Sequence, residues 1–241
     1  MSAKGNELTI YDPGDYAVMR IDAQTLAEAL ADNLGGARLN VFELDRVTVP
    51  AGKSTTWMVP TLDGTEDSRT IDGVIIYWRD GRSFWRVPFD ESGGGSPPDC
   101  FSLNGINGIG DPGGACISCP FGQFGGACRE TRQLFVMRPT DLLPIVVSVP
   151  RSSLKSLRRY FLALASKNLP HHGVVTRLTL VTAQSSSGIP YPQIAPQKIG
   201  DLNSEQRARM ALLRDQLRPA IEGETTPVDP DAAFRARLGA D

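Results

Sequence analysis

The chain has 241 residues, 41% of them hydrophobic, with 25 basic against 27 acidic side chains and a formal net charge of −2. That content suffices for one cored globular domain with appendages, and no apolar run approaches the roughly 18 residues of a membrane span. The N-terminus, Met1-Ser2-Ala3-Lys4-Gly5-Asn6-Glu7, carries no apolar stretch of a secretory signal, so the expected location is the cytoplasm, with no membrane partner.

Residues 1–37 read as an N-terminal extension in which Asp22 caps a short helix bearing Leu26, Ala29, Leu30 and Leu34, stopped by Gly35-Gly36. Strand-like runs rich in Val, Ile and aromatics follow at 39–49, 55–59, 71–78 and 83–87, with Asp80-Gly81 as a hairpin signal before the last. Alternation along Val74-Ile75-Ile76-Tyr77-Trp78-Arg79 sends Trp78 to the core and Tyr77 with Arg79 to the surface. A glycine-rich loop comes next, then strands at 133–137 and 143–149. Pro150 introduces the clearest helix, capped by Ser152 or Ser153, with Leu154, Leu157, Phe161, Leu164 and Ala165 on one face. Lys155, Arg158 and Arg159 form a separate basic stripe on it. Strands at 173–182 and 189–199 precede a last helix, capped near Asn203 or Ser204, carrying Met210, Leu213 and Leu217 and ending at Pro219. Residues 220–241, rich in Pro, Thr and Asp, read as a disordered, mildly acidic tail.

Several strands, one helix, then two strands is the order of an OB-fold, a small Greek-key barrel. The predicted chain is therefore mainly β: an OB-fold-like barrel over 38–200 with an inserted loop at about 98–130, one barrel helix, and flanking N- and C-terminal helices, the latter over 201–219. A generic β-barrel or a mixed α+β sheet would share this order.

All four cysteines lie in the inserted loop, at Cys100, Cys116, Cys119 and Cys128. The spacing sets one C-x-x-C knuckle between two single ligands, enough to close a tetrahedron of thiolates round one structural Zn²⁺ with no open position. The segment 104–114, Asn-Gly-Ile-Asn-Gly-Ile-Gly-Asp-Pro-Gly-Gly, has little apolar surface to bury, so metal binding would supply its order. Two disulfides are the competing reading, and His171 and His172 are competing ligands.

Charge is segregated along the chain: net −4 over residues 1–37, +7 from Arg129 to Arg177 and −3 beyond Pro219. A basic middle between acidic ends suggests an anionic ligand. The candidate nucleic-acid surface combines Tyr77, Arg79, Arg82, Trp85 and Arg86 of the aromatic hairpin with Arg129, Arg132, Lys155, Arg158 and Arg159. Unstacked bases bind aromatic faces while Arg and Lys follow the phosphates, which favours single strands over a duplex.

The motifs Pro98-Asp99-Cys100, Gly110-Asp111-Pro112-Gly113-Gly114-Ala115-Cys116-x-x-Cys119-Pro120 and Phe124-Gly125-Gly126-Ala127-Cys128-Arg129-Glu130, with the strand Gly73–Arg79, resemble zinc-bearing OB-fold single-stranded-DNA-binding proteins of bacteriophages and mobile elements. The likeness covers about residues 38–200. It implies single-stranded-DNA binding with little sequence preference in replication or recombination, and replication or recombination proteins as partners. The four-cysteine set departs from the histidine with three cysteines known in that group, and the tail contains Arg235 and Arg237 among its acids.

Enzyme motifs are incomplete. Ala51-Gly52-Lys53-Ser54-Thr55 ends like a phosphate loop, but Val47 stands where that loop needs its first glycine, and strand-like residues follow. A four-thiolate zinc offers no open position, and no serine triad is evident. The chain is read as non-enzymatic, with a zinc-stabilised protein-interaction module as the alternative function.

Overall fold

The computed structural model describes residues 16–20, 23–35, 43–87, 98–123 and 125–223. Asp22, Gly36, residues 39–42, Phe124 and the tail from 224 onward, all used in the sequence reading, lie outside them. The described chain is mainly β: a nine-stranded mixed sheet, a separate two-stranded hairpin and three α-helices. The elements used below are α1 (Ala23–Leu34), β1 (Arg46–Thr48), β2 (Trp57–Thr61), β3 (Gly64–Ser68), β4 (Thr70–Phe84), β5 (Cys100–Ser102), β6 (Asn107–Gly110), β7 (Gly114–Ala115), β8 (Arg129–Met137), β9 (Ile145–Pro150), α2 (Arg151–Ala165), β10 (Val174–Gln184), β11 (Pro190–Asp201) and α3 (Ser204–Gly223).

The long strand β4 organises the sheet. It pairs antiparallel with β10 over Thr70–Gly73, with β8 over Val74–Ser83 and with β5 over Arg82–Phe84. The predicted hairpin at Asp80-Gly81 is therefore absent: the β8 ladder runs straight through it, with Asp80 opposite Arg132 and Gly81 opposite Thr131. Glycine serves there as a point of close approach, since a Cβ on Gly81 would stand 3.2 Å from the Ser102 carbonyl oxygen. A cross-strand pair locks β10 to β4, with Arg177 Nε and Nη2 donating to the two Asp72 carboxylate oxygens at 2.8 and 2.7 Å.

The predicted closed barrel is not formed among the described strands. β8 and β9 pair antiparallel, β9 carries β1 in parallel on its other edge, and β11 pairs only with β10. The edge of β9 that would have to accept β11 is thus occupied by β1. The N-terminus of α2 serves the edge of β11 instead: the Ile194 amide donates to Ser153 Oγ at 3.0 Å, and Gln193 Nε2 donates to the Ser152 carbonyl at 2.7 Å. Neither serine caps α2 by its side chain. The N-cap is Pro150, with no side-chain cap bond.

Two cores lie on the two faces of the sheet. One gathers Val74, Ile76, Phe135, Met137 and Val146 beneath Met210, Leu213 and Ile221 of α3, with Tyr16 and Val18. The other gathers Ile71, Ile75, Leu134, Val147, Leu178 and Ile194 beneath Leu157 of α2. The β2–β3 hairpin enters this second core through Trp57, which is fully buried and donates its Nε1–H to the Leu178 carbonyl at 3.1 Å. β3, Gly-Thr-Glu-Asp-Ser, carried no apolar signal and was legible only through its pairing with β2. α3 begins as expected in a reciprocal cap, Gln206 N–H to Asn203 Oδ1 at 2.9 Å and Asn203 N–H to Gln206 Oε1 at 2.8 Å, but continues through Pro219 to Gly223.

Trp57, with Val59 two residues on, anchors the hairpin to the core. Trp57→Ala is expected to destabilise the protein by about 3–5 kcal/mol in urea unfolding, with Trp57→Phe well short of that; equal losses would place the energy in the indole hydrogen bond.

Candidate nucleic-acid interface and cysteine loop

β4 breaks its own alternation. Its register against β8 shifts between Ile75 and Tyr77, leaving Ile76 as an extra bulge residue. Val74, Ile76 and Tyr77 consequently join the α3 core, while Ile75 and Trp78 join the α2 core. This corrects the predicted exposure of Tyr77 and Arg79. Tyr77 packs on Phe135 and donates its hydroxyl to Glu222; burial first, then that carboxylate, pushes its phenol up. Arg79 is only 7% exposed, donating Nε to Gln133 Oε1 at 2.8 Å and Nη1 to the Ile221 carbonyl. Trp78 is half-buried, stacked on Phe161, with the Arg132 guanidinium 3.9 Å above its ring.

Arg132 forms a bidentate pair with Asp80 at 2.7 and 2.9 Å, so it belongs to this cluster on β4. Arg82 donates to the Gly122 carbonyl at 3.2 Å and faces Glu130 at 4.0 Å, which binds it to the cysteine loop. Arg86 pairs with Asp111, and its amide donates to Asp99 Oδ2 at 2.8 Å. Trp85 is half-buried just past the end of β4. The aromatic hairpin expected to meet bases is therefore a structural strand whose arginines hold its neighbours.

The remaining cations differ. Arg129 at the start of β8 and Lys155, Arg158 and Arg159 on α2 are exposed and make no ion pair among the described residues. Arg151, which the sequence reading did not use, continues the stripe back one turn, giving Arg151, Lys155 and Arg159 at i, i+4 and i+8. α2 contains no acidic residue. Like charges at i, i+4 repel, and cations on the first turns oppose the positive end of the helix dipole. Lys155 and Arg159, which make no ion pair among the described residues, therefore repel each other, a cost that an anionic ligand would relieve.

Beside it lies an open cleft of about 680 Å³ lined by Thr48, Arg129, Glu130, Thr131, Ser148, Arg151 and Tyr191. Thr48, Thr131 and Ser148 share the sheet face of Val146 and Phe135 by strand alternation. Tyr191 is half-buried and belongs to neither core, and its side chain makes no ring contact or hydrogen bond among the described residues. It lies within the strand predicted at 189–199, where no basic residue stands near it in sequence to mark it as part of a binding surface. Arg151 was findable by extending the helix back to its proline.

No disulfide joins the four cysteines, and all four line one small cavity of about 20 Å³, room for a single water-sized sphere. Cys100 opens β5, paired with Gly110; the Cys116 amide donates to the Ile106 carbonyl at 2.7 Å, and the Cys128 amide to the Phe121 carbonyl at 2.9 Å. Gly108 is required beneath the cavity, since a Cβ there would lie 2.9 Å from Cys100 Sγ. Phe84 and Phe121 stack at 4.3 Å between ring centres, tying the loop to β4. Burial pushes the Cys128 thiol up, Arg82 opposes this, and the other three cysteines add to the rise. Among the described residues no group of three or more His, Cys, Asp or Glu is arranged to hold a metal ion. His171 and His172 do not line the cavity; His171 Nδ1 bonds the Ile75 carbonyl at 2.6 Å, on the edge of β4.

Gly52-Lys53-Ser54 lies in the loop between β1 and β2, and a strand follows it. No helix among the described residues is long and apolar enough to cross a membrane. No protein-family model, characterised protein or solved structure matches the chain.

His172 is held well below its ordinary value, at about 4, by burial first and then by His171 and Arg214, against the opposing Asp215. The unfolded chain therefore binds a proton near pH 6.5 that the folded protein refuses until about pH 4, so stability present above 6.5 is lost as pH falls through that window. Thermal melts from pH 7 to 4 are expected to decline less steeply for His172→Gln than for the wild type; parallel curves would contradict this.

Proposed function

We propose that the protein binds single-stranded DNA with little sequence preference and acts in phage or mobile-element replication or recombination. The observation that carries this reading is the acid-free cationic stripe on α2, set beside a cleft that offers Arg129, Arg151 and the ring of Tyr191. Sequence-neutral strand binding combines these two parts: cations that follow the backbone and an aromatic face on which a base stacks. The chain order β4, β8, β9, α2, β10, β11 supports an OB-fold reading, with β4 pairing both β8 and β10 as an OB-fold's first strand pairs its second and fourth. In such folds the face of the second and third strands and the loop joining the first two bind oligonucleotides. Here those are the β8–β9 face, where the cleft lies, and the cysteine loop. Resemblance to zinc-bearing phage binders points the same way.

Zn²⁺ is the group that the cysteine loop suits in donor type and number: Cys100, Cys116, Cys119 and Cys128 would hold it with no open position, so it would order the loop and perform no chemistry. The loop's exposed Ile106 and Ile117, 65% and 87% accessible, suit a protein partner better than a phosphate. They keep the alternative of a non-enzymatic interaction module tied to a specific surface, and replication or recombination proteins are the partners in either case.

Two measurements test this reading. In fluorescence anisotropy across a salt series, five cations (Arg129, Arg151, Lys155, Arg158, Arg159) on five phosphates give a log K against log salt slope of about −0.7 × 5, near −3.5, for a single strand. A flat dependence, or a preference for duplex, would refute it. Metal analysis of the purified protein is expected to find one zinc per chain, lost in Cys116→Ser; metal-free protein with four freely titrating thiols would remove zinc from the account.

A further inference from the structure

Two grooves flank the first turns of α2. One is the sheet-face cleft just described, which includes Ser152, Tyr191 and Pro192. The other, of about 530 Å³, runs between α2 and the edge of β11 and is lined by Lys155, Arg159, Tyr160 and Gln193. They meet at a single saddle, the hydrogen bond from Gln193 Nε2 to the Ser152 carbonyl. Pro192 and Gln193 are consecutive on β11, and Ser152 and Lys155 are one turn apart on α2, so the two grooves share walls.

We infer that a bound strand crosses this saddle, making the site bipartite: Arg129 and Arg151 hold phosphates in the cleft, Lys155 and Arg159 hold those in the α2–β11 groove, and Tyr191 offers its ring near the bend. The inference rests on the single-strand reading above and adds its path. Arg151, Lys155 and Arg159 succeed one another every four residues, about 6 Å of helix per step and roughly 12 Å in all, a continuous cationic rail from one groove to the other. Only a flexible backbone can follow it. A duplex resists bending over some 150 base pairs and cannot turn over a saddle one helical turn wide, whereas an unstacked strand can. The groove thus supplies a physical basis for rejecting duplex that the cleft alone lacks. Neither Lys155 nor Arg159 has an acidic neighbour on α2 to neutralise it, so phosphates there would relieve a repulsion already present in the free protein.

The test compares oligothymidylates of about 6 and about 15 nucleotides, within the usual span of one such domain, against the wild type and the double variant Lys155→Gln/Arg159→Gln. Both side chains are exposed, and circular dichroism checks that the variant folds. For the wild type, the longer strand is expected to show a salt slope steeper by about 0.7 × 2, near 1.4, than the shorter one. In the double variant that difference disappears, together with most of the affinity gained with length. A variant that keeps the wild-type length gain and slope difference overturns the bipartite path and leaves the single-strand reading standing. Absence of binding by the wild type at both lengths overturns both.

Discussion

The ladder along β4 is the constraint on which the rest of the molecule depends. One 15-residue strand pairs with β10, β8 and β5 in turn, so it sets the register of the main sheet and also the attachment of the cysteine loop. Its bulge at Ile76 decides what each face presents. Because a one-residue insertion exchanges faces for everything beyond it, Tyr77 and Arg79 turn towards α3 and Trp78 towards α2. Strict alternation would have reversed these assignments. The part-buried Asp72–Arg177 pair lies across the same strand's other edge, so β4 carries a charged lock of the sheet as well.

That geometry separates the cations into two populations. Arg79, Arg82, Arg86 and Arg132 are spent within the fold, bonding Gln133, Gly122, Asp111 and Asp80. Lys155, Arg158 and Arg159 of α2 make no ion pair among the described residues. Counting basic residues along the chain cannot make this distinction, because the acids that neutralise an arginine here are as far away in sequence as Asp80 is from Arg132. Arg129, Lys155, Arg158 and Arg159, exposed and without an ion pair among the described residues, therefore lie on the helix and at the start of β8, away from the aromatic-rich strand β4.

The cysteine loop is hung from the far end of the same strand. β5 pairs with β4, Phe121 stacks on Phe84, and Arg82 reaches the Gly122 carbonyl, so the loop's base is packed even where its glycines bury little. These contacts bring four thiols from separate turns round one cavity. A cross-linking ion would hold the loop beside Arg129, which follows Cys128 directly and lines the cleft. Order in the loop and the position of Arg129 are in this way parts of one arrangement.

The chain by itself determined what local chemistry determines. The helix at 151–165, the paired strands at its C-terminal side, the cap at Asn203 and the clustering of the cysteines all follow from periodicity, hydrogen-bonding side chains and spacing that act within a few residues. Only tertiary structure decided the rest. β3 exists because β2 offers it a ladder, Asp80-Gly81 stays extended because β8 and β5 flank it, Ser153 serves β11 instead of its own helix, and β1 takes the edge of β9 that a closed barrel would need. Tyr191 stands beside Arg129 only because β11, β8 and α2 come together round one cleft. Such outcomes turn on which distant groups satisfy a strand edge or a charge, and that competition is settled in the folded chain.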